Sequence, residues 1–195
     1  MFKISVSFLL LLGIFVSSCG EGNRQQPATT PLADTAKFYP FDQFISEQIR
    51  FVDLRNFDIQ QKITVDSTTD STLINKQQFI QLANTVLNVA ADWNSKKHLY
   101  KESVFQDLST ASYTINYTAI DPAIKLQRID ILLNEETNII KRLFLRESWT
   151  LNDTLYTKQY SWLADHGFQV VTTKNHPEYN HTQTIAIDWN KPSGK

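Results

Sequence analysis

From residue 110 onward the chain breaks into six runs of strand-forming residues, at 110–120, 125–134, 139–151, 154–164, 168–174 and 182–189. Only a few residues, rich in Asn, Asp, Pro or Thr, separate one run from the next. A parallel pair needs a crossover of about a dozen residues or more, so connections this short allow only antiparallel hairpins between neighbours. The second half of the chain must therefore be an antiparallel meander, and the first half must pack on it.

One hairpin can be read to the level of register. Asn152 and Asp153 both tolerate positive φ, and a two-residue turn there sets Trp149 opposite Tyr156, Glu147 opposite Lys158, Leu145 opposite Tyr160 and Leu143 opposite Trp162. One face of this hairpin is apolar and aromatic, while Arg146 with Gln159 and Ser148 with Thr157 make the other face wetter. The next hairpin closes at Asp165, His166 and Gly167, with Gly167 expected to supply the left-handed residue.

In the first half the period changes twice. Phe41, Phe44, Ile45, Ile49 and Val52 lie at helical spacing after Pro40 and predict a helix over 41–54. Phe57, Ile59, Ile63 and Val65 alternate with polar residues as in a half-buried strand. A turn at 66–70 and a short partner strand at 71–74 complete a hairpin. Asn75 and Gln78 have the spacing of a capping box, and Phe79, Leu82, Ala83, Val86, Leu87, Ala90 and Trp93 then trace one apolar stripe. The predicted fold is α+β: a curved antiparallel sheet, a meander of about six strands plus an N-terminal hairpin, packed on two amphipathic helices. This order of elements loosely resembles the open half-barrels of outer-membrane lipoprotein carriers.

The beginning of the chain is of another kind. Lys3, an apolar run over 4–16 and small Ser17 and Ser18 have the layout of an export leader, too short for the ~20 residues of a bilayer span. The segment Phe15, Val16, Ser17, Ser18, Cys19 resembles the lipobox of bacterial lipoproteins. That resemblance implies cleavage before Cys19 and acylation of Cys19, with Val16 in place of the more usual leucine. In such lipoproteins an aspartate after the cysteine often marks inner-membrane retention, and Gly20 at that position implies the outer membrane. The expected partition is a signal peptide over 1–18, a lipidated cysteine and flexible tether over 19–37, and one globular domain over 38–195. Two or more acyl chains give the lasting attachment that a single chain does not.

Composition removes several functions. Loss of residues 1–18 takes away Lys3 and no acid, leaving 18 basic and 20 acidic residues, interspersed along the chain. No basic cluster longer than Lys96, Lys97 and His98 is visible, which argues against a nucleic-acid or anionic-membrane partner. Cys19 is the single cysteine, so a lipidated chain has no thiol for disulfides, thiolate ligands or nucleophilic attack. Between Gly22 and Gly167 there is no glycine, which excludes P-loop, Rossmann and nucleophile-elbow motifs there.

The remaining candidates are modest. His176, Glu178 and His181 flank Pro177 in what reads as a loop, a spacing that matches no zinc motif, so no metal and no cofactor is expected. Glu135 and Glu136 are adjacent turn residues that point apart. Glu147 interrupts the apolar face and is read as a cross-strand ion pair with Lys158, and Asp130 with Arg142 in the same way. Trp149, Tyr156, Tyr160 and Trp162 are core residues or, in the sharper reading, the lining of an apolar-ligand site. Thr35, Ser67, Ser71 and Thr154 each follow an aspartate in short sequences that resemble an O-glycosylation signal of exported proteins in some Gram-negative bacteria, and all four are expected in the tether or in turns. The expected function is a non-catalytic binding or assembly domain on a membrane anchor, with an envelope protein or an apolar ligand as partner. The runner-up is a hydrolase of envelope polymers using acids such as Glu147 or Glu178.

Overall fold

The structure is a computed structural model that describes residues 38–189. Its elements are helix α1 (Phe41–Asp53), strands β1 (Ile59–Val65) and β2 (Thr68–Ile74), helix α2 (Lys76–Lys96) and strands β3 (Tyr100–Asp107), β4 (Ser112–Ala119), β5 (Leu126–Asn134), β6 (Ile140–Leu151), β7 (Thr154–Leu163), β8 (Gly167–His176) and β9 (Tyr179–Asp188). A single turn of 3₁₀-helix, Lys97–Leu99, joins α2 to β3. The α+β class and the two helices are as the sequence predicts.

The strands form one nine-stranded antiparallel sheet in the order β2, β1, β9, β8, β7, β6, β5, β4, β3. The sequence pattern predicts eight of these and not β3. That strand is an edge: Tyr100 is its one buried residue, Glu102 takes the inward position between Tyr100 and Val104, and aromatic Phe105 faces outward, so no alternation of polarity marks it in the sequence. The N-terminal hairpin is part of the same sheet, because β1 pairs along its length with β9.

Two turns are tighter than expected, and a third is built differently. Only Asp66 and Ser67 separate β1 from β2, so residues 68–70 belong to the strand rather than to a turn. Asp66 adopts φ 52°, a left-handed conformation that Asp tolerates. The stretch around Pro177 is a hairpin in which His176 pairs with Tyr179 and Lys174 with His181, not an open loop. In the β7–β8 turn the left-handed residue is Asp165 (φ 60°), whereas Gly167 has no positive φ. Gly167 is required for a different reason: a Cβ there would lie 2.3 Å from the Ile187 carbonyl oxygen of β9. The predicted β6–β7 register is found pair for pair, with Asn152 and Asp153 at φ 48° and 58°.

Both helices lie on one face of the sheet. The Asn75 side chain accepts the Gln78 amide and the Gln78 side chain accepts the Asn75 amide, each at 2.9 Å, so the capping box starts α2 as predicted. Phe79, Ala83, Val86, Ala90 and Trp93 of α2, with Phe41, Ile45 and Val52 of α1, bury against Tyr117, Ile129, Ile131, Leu143, Leu145 and Trp162 of the sheet. Gln48 ties α1 to the β7–β8 turn, donating to Asp165 Oδ1 (2.9 Å) and accepting its amide (2.7 Å). Trp93, Trp162 and Trp189 are buried with no acceptor for their indole N–H among the described residues. Burying a ring of ~200 Å² at ~25 cal/mol per Å² contributes about 5 kcal/mol, against ~1–3 kcal/mol for an unmade hydrogen bond, so packing wins.

Candidate functional site

Apolar side chains pack closely between the helices and the sheet. The space bounded by Val86, Leu143, Leu145, Tyr160, Trp162 and Phe168 is too small for a water molecule. Tyr160 and Trp162 belong to this packed region, and Trp162 stacks on Phe168 with ring centroids 4.7 Å apart. Trp149 and Tyr156 lie further along the same strands, half-buried and stacked on each other at 5.2 Å. The four aromatics share a face as expected but divide between two surroundings.

A cleft of about 260 Å³ opens between α2, the start of β3, the β4–β5 connection and β6. Helix α2 lines one wall with Asn88, Asp92 and Lys96, spaced four residues apart and so on one stripe of the helix. The β4–β5 connection and the start of β5 supply Ile124, Lys125 and Leu126, β3 supplies Tyr100, and β6 supplies Glu147. Among these, only Glu147 is a sequence-derived candidate.

Glu147 occupies the helix-facing position that continues Leu143 and Leu145, which is why an acid comes to be 6% exposed. One carboxylate oxygen accepts the Tyr160 hydroxyl at 2.7 Å. The other lies 3.2 Å from Lys125 Nζ, which is also 4.4 Å from the Trp149 ring centroid. The expected ion pair with Lys158 is thus corrected. Lys158 is the backbone neighbour, but the Ser148 amide donates to the Lys125 carbonyl at 2.8 Å beside an irregularity in β5, and this places Lys125 at the carboxylate. Asp130 likewise pairs with Arg128 (2.8 Å) and accepts from Asn116, since Asp130 lies opposite Phe144 and Arg142 opposite Leu132.

The phenols around the carboxylates stay protonated. Burial, then the charges of Asp92 and Glu147, push Tyr100 up to about 12, and its hydroxyl donates to the Leu126 carbonyl at 2.7 Å. Burial, then the hydrogen bond and charge of Glu147, raise Tyr160 as well. Asp92 holds Lys96 at 2.8 Å. The cleft therefore offers two carboxylates and two ammonium groups over an apolar floor of Val89, Ile124 and Leu126, with no Ser, Thr, Cys or His in its lining. Its volume is just below the ~300–1,000 Å³ of sites for drug-sized ligands, so it suits one side chain or a small polar group.

The other candidates are dispersed. His176 accepts the Glu178 amide at 3.2 Å and stacks on Tyr179, while His181 contacts Asp66 at 3.1 Å. Glu135 accepts Gln106 at 2.5 Å. Ser67 is an exposed turn residue. Ser71 lies within β2 and accepts Gln60 at 3.1 Å, and Thr154 begins β7 at 4% exposure, so neither is in an open turn as expected. Cys19 and Thr35 lie outside the described residues. No family model matches the chain, and no curated protein or solved structure matches it significantly, so the likeness to lipoprotein carriers remains one of element order.

Proposed function

We propose that the chain is a lipid-anchored lipoprotein of the bacterial envelope, attached to the outer membrane through Cys19, whose domain binds a partner without catalysis. The location is supported by the leader and lipobox sequence ending at Cys19. The observation that carries the binding function is the buried, lysine-held Glu147 on the wall of the cleft described above, beside an apolar region around Trp162 with no room for a water molecule. The close packing around Trp162 favours the assembly variant, an envelope protein as partner, over the carrier of an apolar ligand. The test is photo-crosslinking in cells from Asn88 at the cleft lip, with Glu136 in the β5–β6 turn as a control. A protein adduct at Asn88 alone, weakened by Glu147→Gln, supports the reading, and equal labelling from both positions sinks it.

A second reading, the polymer hydrolase, is favoured by one feature: Asp92 and Glu147 face the same cleft from different elements. Each carboxylate is already engaged by a lysine, which suits binding better than proton transfer. Release of soluble fragments from purified sacculi, abolished in both Asp92→Asn and Glu147→Gln, would establish the second reading against the first.

A further inference from the structure

The sheet face turned away from the helices has no cover among the described residues, and folding sorts charge onto it. By register, Lys62, Lys101, Arg128, Arg142 and Arg146 share this face with Asp107, Asp130 and Asp188, a surplus of two positive charges. The described residues as a whole are acidic, with 14 basic against 18 acidic side chains. Interspersed in sequence, these charges segregate by face.

The centre of the patch has the clearest arrangement. Arg128 and Arg146 are direct cross-strand neighbours, a like-charge pairing that weakens a sheet. Asp130 relieves Arg128, but Arg146 lies beside Gln159 and Arg142 between Leu132 and Leu163. Arg142 and Arg146 are exposed and make no ion pair with any described residue. Half-buried Leu132 and Phe144 stand between them, Leu163 adjoins Arg142 at 37% exposure, and further out on the same face are Leu155 at 42% and Phe105 at 57%. Unpaired guanidinium groups, which fit phosphate as a fork, next to protruding Leu and Phe match an anionic lipid surface rather than a neutral one.

We infer that the uncovered sheet face, centred on Arg128, Arg142 and Arg146, docks on the anionic headgroups of the bilayer. This rests on the anchored location proposed above for proximity, and it replaces the expectation, drawn from interspersed charge, of no anionic-membrane partner. The lipidated full-length protein is reconstituted in phosphatidylcholine vesicles with or without phosphatidylglycerol, and phenylglyoxal modification of each arginine is followed by mass spectrometry. Arg128, Arg142 and Arg146 should react about fivefold more slowly on the anionic vesicles, with Arg50 of α1 and Arg55 just beyond its end unchanged and the protection lost at high salt. In R142Q/R146Q, two exposed changes that leave the core intact, Arg128 should lose its protection. Equal rates on the two vesicles, or equal protection on neutral vesicles by added soluble polyphosphate, would overturn the inference. A chain that leaves neutral vesicles but stays on anionic ones refutes the anchor and supports the face, and one that leaves both refutes both.

Discussion

Trp162 and Trp149 point to the same side of the same hairpin, yet they meet different surroundings. Trp162 is 1% exposed, between Phe44 of α1, Phe168 of β8 and Trp189. Trp149 is half-buried and is met by Tyr156 and the Lys125 ammonium. Strand alternation assigns a face, but depth on that face depends on which helical side chains reach it. Truncation should measure the difference. Trp162→Ala is expected to cost ~3–5 kcal/mol in urea unfolding of the full chain, as for a filled aromatic site in a core. Trp149→Ala should cost less than half as much, because part of its surface is in water already. Equal losses would break the comparison and place both rings in one core.

Glu147 marks the boundary between the two regions, and its coupling to Tyr160 sharpens where that boundary runs. Tyr160→Phe removes the hydroxyl that satisfies a buried carboxylate oxygen, at a cost of ~1.5–3 kcal/mol. In Glu147→Gln the same substitution should cost less, giving a coupling of ~0.5–3 kcal/mol in a double-mutant cycle. A coupling near zero would mean that the phenol acts as a core ring alone, with no share in holding the carboxylate at the cleft wall. The carboxylate would then be held by Lys125 alone.

What was legible in the chain follows from how local each cause is. The Asn75 and Gln78 cap, both amphipathic stripes and the Asn152 and Asp153 turn are decided within a few residues, and all of them stand as predicted. Glycine's φ freedom is a local property and predicts Gly167 as a turn residue, whereas its actual constraint, the Ile187 carbonyl, comes from the neighbouring strand. β3 is not legible because its inward positions include Glu102 and its outward ones Phe105, so polarity does not follow the alternation of its faces. The site was the least legible part. Glu147 stood out as an acid on an apolar face, but Lys125 reaches it through an irregularity in β5, and Asn88, Asp92 and Lys96 look in sequence like any solvated helix stripe. The segregation of arginines onto the outer face needs the register of several strands at once.

The smallest effect concerns a carboxylate that also joins separate strands, but in full solvent. Asp66, in the β1–β2 turn, accepts the Thr182 amide of β9 at 3.0 Å and contacts His181 Nδ1 at 3.1 Å. The Thr182 N–H first, and His181 after it, hold Asp66 below the ordinary carboxylate range. A depressed folded value means that its contribution is complete above the unfolded value of ~3.9 and is lost as pH falls through the lower folded one. The Thr182 amide proton, followed by NMR, should therefore titrate with a midpoint below ~3.9. Asp66→Asn should abolish that titration while keeping the turn, because Asn tolerates the φ of 52° and its side-chain oxygen can still accept the amide. A midpoint at or above ~3.9 would show that the turn carboxylate is merely solvated. The contrast with Glu147, where burial makes such a contact costly to lose, would then be wider still.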